Sequence, residues 1–475
     1  MRKNIFLIII TLLSMSIISA QNDDFTILQI KNGKIKGINC SGVKIFRGIP
    51  FALPPVGELR WKAPQPMKNW EGIRPAIKFG PRAMQNNIYG DMVFRSDSMS
   101  EDCLYLNVWT PSKTYKEKLP VLVYFHGGGF MAGSSDEPRY DGESLSRKGI
   151  VVVTPNYRLG IFGFFVHSQL SEESPYHSSG NYGYLDQVAA LKWVKENIEF
   201  FGGDPSKIII AGESAGSISV SALMCSPLSK DLISGAICSS GSLLGTLSPV
   251  SLNEAENNSR EAIKSLNTYD IKALRSVSAD NLLKIIGYFN AVIDGYFFPK
   301  QPIEIFKNGE QAKVPLLIGW NSEEMIYSFF LKDKPTTIQG FKEAAISMFA
   351  DKAEKIIQLY GATTDELVTQ AATDLASDLF IGFSTWKLSS IHKQTSNMPV
   401  FRYRYCHPRP KVKDEQNSNV IPYKPKGAVH SADIEYAMGN LSTNKVFDWQ
   451  PEDYRISEIF QMYYVNFIKT GNPNG

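Results

Sequence analysis

Ile208-Ile209-Ile210-Ala211-Gly212-Glu213-Ser214-Ala215-Gly216 is the stretch on which the fold turns. Four apolar residues ending at a glycine read as a fully buried strand, and the apolar run from Ser217 to Met224 behind them reads as a helix closed by Cys225-Ser226-Pro227. A Gly-x-Ser-x-Gly pattern between strand and helix demands a tight, strained turn. Gly212 and Gly216 remove side chains where neighbouring backbone must pass, and Ser214 is lifted clear of the strand end. The N–H groups at the start of the helix favour negative charge, so the N–H of Ala215 points to where a reacting oxygen would become anionic. Ser214 is the candidate nucleophile. An ordinary glycine-flanked turn is the competing reading, and it leaves the strand before and the helix after unexplained.

Upstream, Val121 to Phe125 and Ile150 to Pro155 are further apolar runs of strand length. Between the second of these and Ile208, the stretch Asp186 to Phe201 places Val188, Leu191, Trp193, Val194 and Ile198 near helical spacing, so the crossover is helical and the strands pair in parallel. Ile233 to Cys238 and Pro315 to Gly319 continue the strands, while Ser251 to Leu283 and Thr336 to Leu388 hold helix formers of mixed charge, read as helices beside or above the sheet. The alternation predicts an α/β chain with a mostly parallel sheet covered on both faces. The strand Val121 to Phe125 runs into His126-Gly127-Gly128-Gly129-Phe130, and three successive glycines are costly in backbone entropy unless bare amides must approach something closely. In chains with this serine turn they complete an anion-binding hole; no Lys-Ser/Thr pair follows, as a phosphate loop would need.

The composition limits the function. With 50 Lys plus Arg against 47 Asp plus Glu the net charge is +3, too small to argue for a polyanionic partner, so nucleic acid is not expected. The basic stretches Arg409 to Lys413 and Lys424 to Lys426 read as solvated, proline-containing turns. Arg2 and Lys3 before an apolar run from Ile5 to Ile18, with Ser19-Ala20 ahead of polar Gln21, predict a signal peptide over residues 1–20 and one mature domain over 21–475, secreted or periplasmic, with no stable membrane insertion. The chain stops on Thr470-Gly471-Asn472-Pro473-Asn474-Gly475, a run of turn formers, which raises the expectation of a chain truncated at its C-terminus. Five cysteines, an odd number without metal-ligand spacing, imply at least one unpaired thiol, and no ligand cluster or dinucleotide fingerprint calls for a metal or organic cofactor.

Taken together, these segments resemble the type-B carboxylesterases, α/β-hydrolases that also include cholinesterases and non-catalytic adhesion proteins. Glu101-Asp102-Cys103-Leu104-Tyr105-Leu106-Asn107-Val108 and Gly212-Glu213-Ser214-Ala215-Gly216 are similar to two family signatures. Arg47 to Ala52, Asn156 to Gly160 and Phe201 to Pro205 resemble further family segments, so the likeness spans nearly all of the mature chain. The resemblance implies Gly128, Gly129 and Ala215 as oxyanion donors and a small-molecule ester as substrate. With this serine turn the acid and then the histidine follow the nucleophile in the chain. Trp320-Asn321-Ser322-Glu323-Glu324 stands after the strand Pro315 to Gly319, and from the residues alone Glu323 and Glu324 compete evenly, the alternative being a solvated acidic loop. His126, His167 and His177 precede the serine; of the rest, His392 lies in a polar helical stretch, and His407 and His430 remain open. The resemblance implies Glu324 and His430, hence ester hydrolysis through an acyl-enzyme.

Two departures stand out. Met84 occupies the position where many secreted relatives carry the partner of the cysteine resembling Cys103, so that disulfide is not expected. Gln85 to Glu101 also contains no Trp of the kind with which cholinesterases hold a quaternary ammonium, so an uncharged ester is expected. The alternatives are a non-catalytic binding protein of the same build and a hydrolase of amides, thioesters or lactones.

Overall fold

Runs of isoleucine and valine make strands because branched side chains fit the pleat, and runs without polar alternation make strands buried on both faces. In the computed structural model, which describes residues 24–245, 247–413 and 425–475, they form the centre of a large mixed sheet. Its strands are β1 (Asp24–Ile30), β2 (Gly33–Cys40), β3 (Val43–Pro50), β4 (Tyr105–Thr110), β5 (Leu119–Phe125), β6 (Val151–Pro155), β7 (Gly203–Glu213), β8 (Gly235–Ser239), β9 (Leu316–Asn321) and β10 (Val400–Tyr405). The spatial order is β1-β2-β3-β4-β6-β5-β7-β8-β9-β10, with the short segment Ile73–Pro75 beside β2. From β6 to β10 every pairing is parallel; from β1 to β6 the pairings are antiparallel. This is the α/β-hydrolase architecture that the resemblance implies.

Alternate residues of the central strands enter two separate cores. Val121, Val123, Phe125, Ile208, Ile210 and Ile318 face one side, against α1 (Tyr182–Asn197) and α2 (Ala215–Cys225). Leu122, Tyr124, Ile209, Ala211, Ile237 and Leu317 face the other, against Tyr464, Val465, Phe467 and Ile468 of the helix Pro451–Thr470. Both faces are therefore dry, and each fully buried aliphatic side chain contributes about 1.5–3 kcal/mol relative to exposure. Every residue of α2 is buried, which explains its uninterrupted small and apolar composition. The helical stretch from 338 to 396 breaks into Ile338–Phe349, Ala353–Tyr360, Asp365–Ser377 and Phe383–Ser396, and Phe341, Val368, Leu375 and their neighbours form a core of their own above the strand ends.

Two sequence expectations change here. Arg409 is no solvated turn residue: its guanidinium donates to Glu435 Oε2 at 2.9 Å and to the Ser431 carbonyl at 2.7 Å, and 10% of its side chain is exposed. The reason is a partner 26 positions away, which charge patterning along the chain does not reveal. The alternative of a solvated acidic loop falls as well, because Glu323 and Glu324 are both buried. The expected signal peptide and Lys424 lie outside the described residues. Among the described residues no helix is long and apolar enough to cross a membrane, and all five cysteines are unpaired, Cys103, Cys225 and Cys238 in the interior.

Candidate active site

Parallel strands that stop in register deliver their next residues to one edge. Gly212 of β7 pairs with Phe125 of β5 and Cys238 of β8, and Ser239 pairs with Gly319 of β9, so the loops bearing Gly128, Ser214, Ser240 and Glu324 leave the sheet side by side. The serine turn is as tight as its pattern demands. A Cβ on Gly216 would stand 2.1 Å from the Phe125 carbonyl oxygen, and one on Gly212 2.4 Å from the Gly216 carbonyl carbon. Ser214 itself takes φ 56° and ψ −122°, a conformation that costs roughly 1–3 kcal/mol for a residue with a side chain. The hydrogen bonds from Ser214 N to Ser239 O (3.0 Å) and from Ile218 N to Ser214 O (2.9 Å) hold it there.

His430 comes from the loop after β10 and bridges to this serine: its Nε2 lies 2.9 Å from Ser214 Oγ and its Nδ1 2.6 Å from Glu324 Oε2. Glu324 is fixed through its other oxygen, which accepts from Ser240 Oγ and from the Asn321 backbone N–H, both at 2.6 Å. Glu323 points away from the histidine. Its Oε1 accepts the backbone N–H of Gly427 at 2.9 Å and of Lys426 at 3.2 Å, tying down the segment that leads to His430. His407 pairs with Asp453 at 2.7 Å, and His392 contacts the Val314 carbonyl at 2.9 Å and Gln311 at 3.2 Å, so neither meets the serine. His126 is stacked on Tyr157 in the interior, where burial lowers its pKa to about 4 and keeps it neutral.

Gly128 (φ 108°) and Gly129 (φ 63°) turn beside the serine in left-handed conformations that favour glycine. Among the described residues their N–H groups and that of Ala215 have no protein acceptor. Three free amides beside the candidate nucleophile could receive an oxygen that gains negative charge. Among the described residues no cluster of three or more His, Cys, Asp or Glu is arranged to hold a metal ion.

Several residues of the site escaped the sequence reading. Glu213, buried at the end of β7, places Oε1 3.3 Å from His430 Nε2 and accepts from Ser431 Oγ at 3.0 Å. Its signal was a charged residue following directly on the apolar run Ile208 to Ala211 and its glycine. Burial pushes its carboxyl up to about 7 against the pull of His430. Burial would lower the imidazole, but the Glu213 carboxylate and the hydrogen bond and charge of Glu324 outweigh it, and its pKa rises to about 9. The Asp433 carboxyl, raised by burial and then by Glu324 to about 6, accepts from Asn321 Nδ2 at 3.2 Å. No sequence signal singles out Phe380, whose ring meets the His430 ring edge-on at 5.1 Å.

Comparison with known proteins identifies the relatives of this chain. Residues 24–475 match the model of the Carboxylesterase family. The chain is 35% identical over 443 residues to the fumonisin B1 esterase of Sphingopyxis macrogoltabida, covering 90% of this chain and 78% of that protein. It is 34% identical to the para-nitrobenzyl esterase of Bacillus subtilis, covering 94% and 90%. A solved structure of PNB esterase superposes with a TM-score of 0.79 at 32% identity over 94% of this chain and 91% of that one.

Proposed function

The chain belongs to the carboxylesterase family and is a carboxylic ester hydrolase, and from that premise we propose that it works as a serine esterase on uncharged esters, with Ser214 as nucleophile, His430 as base and Glu324 as orienting acid. His430 Nε2 takes the Ser214 proton as Oγ attacks the ester carbonyl, and the carbonyl oxygen, now anionic, receives the N–H groups of Gly128, Gly129 and Ala215. Collapse expels the alcohol, protonated by His430, and leaves an acyl-serine; water, deprotonated by the same nitrogen, then releases the acid and restores Ser214. Glu324 holds the ring with Nδ1 protonated and, with Glu213, stabilises the imidazolium.

The observation that carries this reading is the unbroken contact from Ser214 Oγ through His430 to Glu324, at 2.9 and 2.6 Å, beside the unpaired glycine amides. An uncharged substrate is supported by what surrounds it: Tyr89, Met92 and Met131 at the glycines and Phe380 at the histidine. A p-nitrophenyl ester should give a burst of one p-nitrophenol per active site, a fluorophosphonate should label Ser214, and Ser214→Ala should lose roughly 10⁴–10⁶-fold in turnover with an unchanged unfolding midpoint. Labelling of the alanine variant would overturn the assignment.

A further inference from the structure

The segment from Gln85 to Glu101 crosses the mouth of the site almost without regular structure, yet it is fastened along its length. At one end Gln85 exchanges hydrogen bonds with Gly133, at 2.8 and 2.9 Å; at the other Glu101 is gripped by both Arg60 Nε (2.6 Å) and Nη2 (2.5 Å). Between them Arg95 donates to Asp136 O at 2.7 Å and to Asp141 Oδ2 at 2.6 Å, Asp91 pairs with the interior guanidinium of Arg139 at 3.0 Å, and Asn86 Nδ2 reaches Leu283 O at 3.0 Å. Asn86 and Asp91 bracket Tyr89, so its backbone is pinned on both sides.

From there the Tyr89 side chain turns inward. Its hydroxyl stands 3.0 Å from the point a Cβ on Gly129 would occupy, and the Met131 methyl 3.9 Å from that point; the Met92 methyl stands 2.9 Å from the corresponding point on Gly128. The wall over the two glycines is thus made of thioether methyls and one phenol. Among the described residues that hydroxyl has no hydrogen-bond partner, and the residue is 37% exposed. Burial, then the charge of Asp91, raises the phenol's pKa, which keeps it a neutral donor.

We infer that Tyr89 is a specificity-determining residue, whose hydroxyl donates a hydrogen bond to an oxygen that the substrate carries a few bonds from the scissile carbonyl. Alkoxy- or acyloxy-substituted esters are then preferred over plain alkyl esters of the same size, because a site that offers a placed donor discriminates against the analogue without an acceptor. The inference rests on Gly128 and Gly129 being the oxyanion donors.

The test uses two isosteric pairs: p-nitrophenyl methoxyacetate against p-nitrophenyl butanoate for the acyl side, and 2-methoxyethyl acetate against butyl acetate for the alcohol side. Parent and Tyr89→Phe are compared as ratios of kcat/KM, so the intrinsic reactivity of each ester cancels, and fluorophosphonate titration normalises for active sites. In one of the two pairs Tyr89→Phe should lower kcat/KM for the alkoxy ester about tenfold and alter the alkyl ester by less than about twofold. Equal effects on both members, or none in either pair, would overturn the role of Tyr89. A parent that takes the fluorophosphonate but shows no such change refutes this inference alone; a parent that neither labels nor hydrolyses any of the four esters refutes the serine esterase reading and this inference with it.

Discussion

Replacing Glu324 with glutamine probes the relay because the two sides of the carboxylate have different partners. Oε1 accepts from Asn321 N and Ser240 Oγ, and Oε2 faces His430 Nδ1 at 2.6 Å. The Asn321 N–H can only donate, so the glutamine carbonyl must take the place of Oε1 and its NH₂ must face Nδ1. Nδ1 then has to accept, the ring proton moves to Nε2, and Nε2 can no longer take the proton of Ser214. Flipping the amide restores the tautomer but sets two donors against each other in a buried place, at about 1–3 kcal/mol. The lost charge removes a further stabilisation of the imidazolium, up to about 4 kcal/mol for charges about 4 Å apart at an effective dielectric constant of about 20. Glu324→Gln should therefore lose roughly 10³–10⁴-fold in kcat/KM toward a p-nitrophenyl ester. Glu323→Gln is the control: its carbonyl can still accept from Gly427 N, so the loss should stay below about tenfold. With unfolding midpoints matched between variants, a Glu324→Gln enzyme within tenfold of the parent, or a Glu323→Gln enzyme that falls as far, would refute the assignment.

Glu213→Gln removes a carboxylate 3.3 Å from His430 Nε2. Since that charge favours the imidazolium, the imidazole should lose its proton more readily, and the acid limb of the kcat/KM profile should move to lower pH by about one unit or more; an unmoved limb, or one displaced upward, contradicts the coupling. Stability elsewhere depends on Arg158, interior and held by Asp186 through Nη2 at 2.7 Å and Nε at 2.8 Å. Asp186→Ala leaves that guanidinium uncompensated and should cost about 3–5 kcal/mol in urea unfolding, whereas a loss under about 1 kcal/mol would show that the interior solvates it by other means.

The parts legible in the chain were those that depend on local pattern. Ile208 to Ala211 announces β7 because a doubly covered strand needs no polar alternation, and Gly212 and Gly216 are readable because their close contacts tolerate no side chain. Strand order was less accessible: β6 follows β5 but lies on its far side from β7, a choice made by packing between distant segments. The antiparallel strands β1 to β3 went unannounced because their exposed faces mix Lys, Asn and Thr with apolar residues. Glu323 and Glu324 differ by one position, and the side each faces is settled by a pairing between Glu323 and Val429, 106 residues apart. His407 is held away from the serine for a similar reason, since Asp453, its partner, lies 46 positions downstream.

The fastening of the Gln85 to Glu101 segment has a consequence for the conditions under which its grip persists. Cys103 is unpaired and Met84 is a neighbouring wall of the same small interior space, so no sulfur bridge clamps the base of the segment; Arg60, Arg95 and Arg139 do that work with carboxylates and carbonyls. A thiol reductant therefore has nothing to cut there, and the same coverage of the mouth holds in reducing and oxidising solution. Strong acid, which removes the carboxylate charge from such pairs, becomes the agent that loosens it, while salt screens pairs this shielded from solvent only weakly.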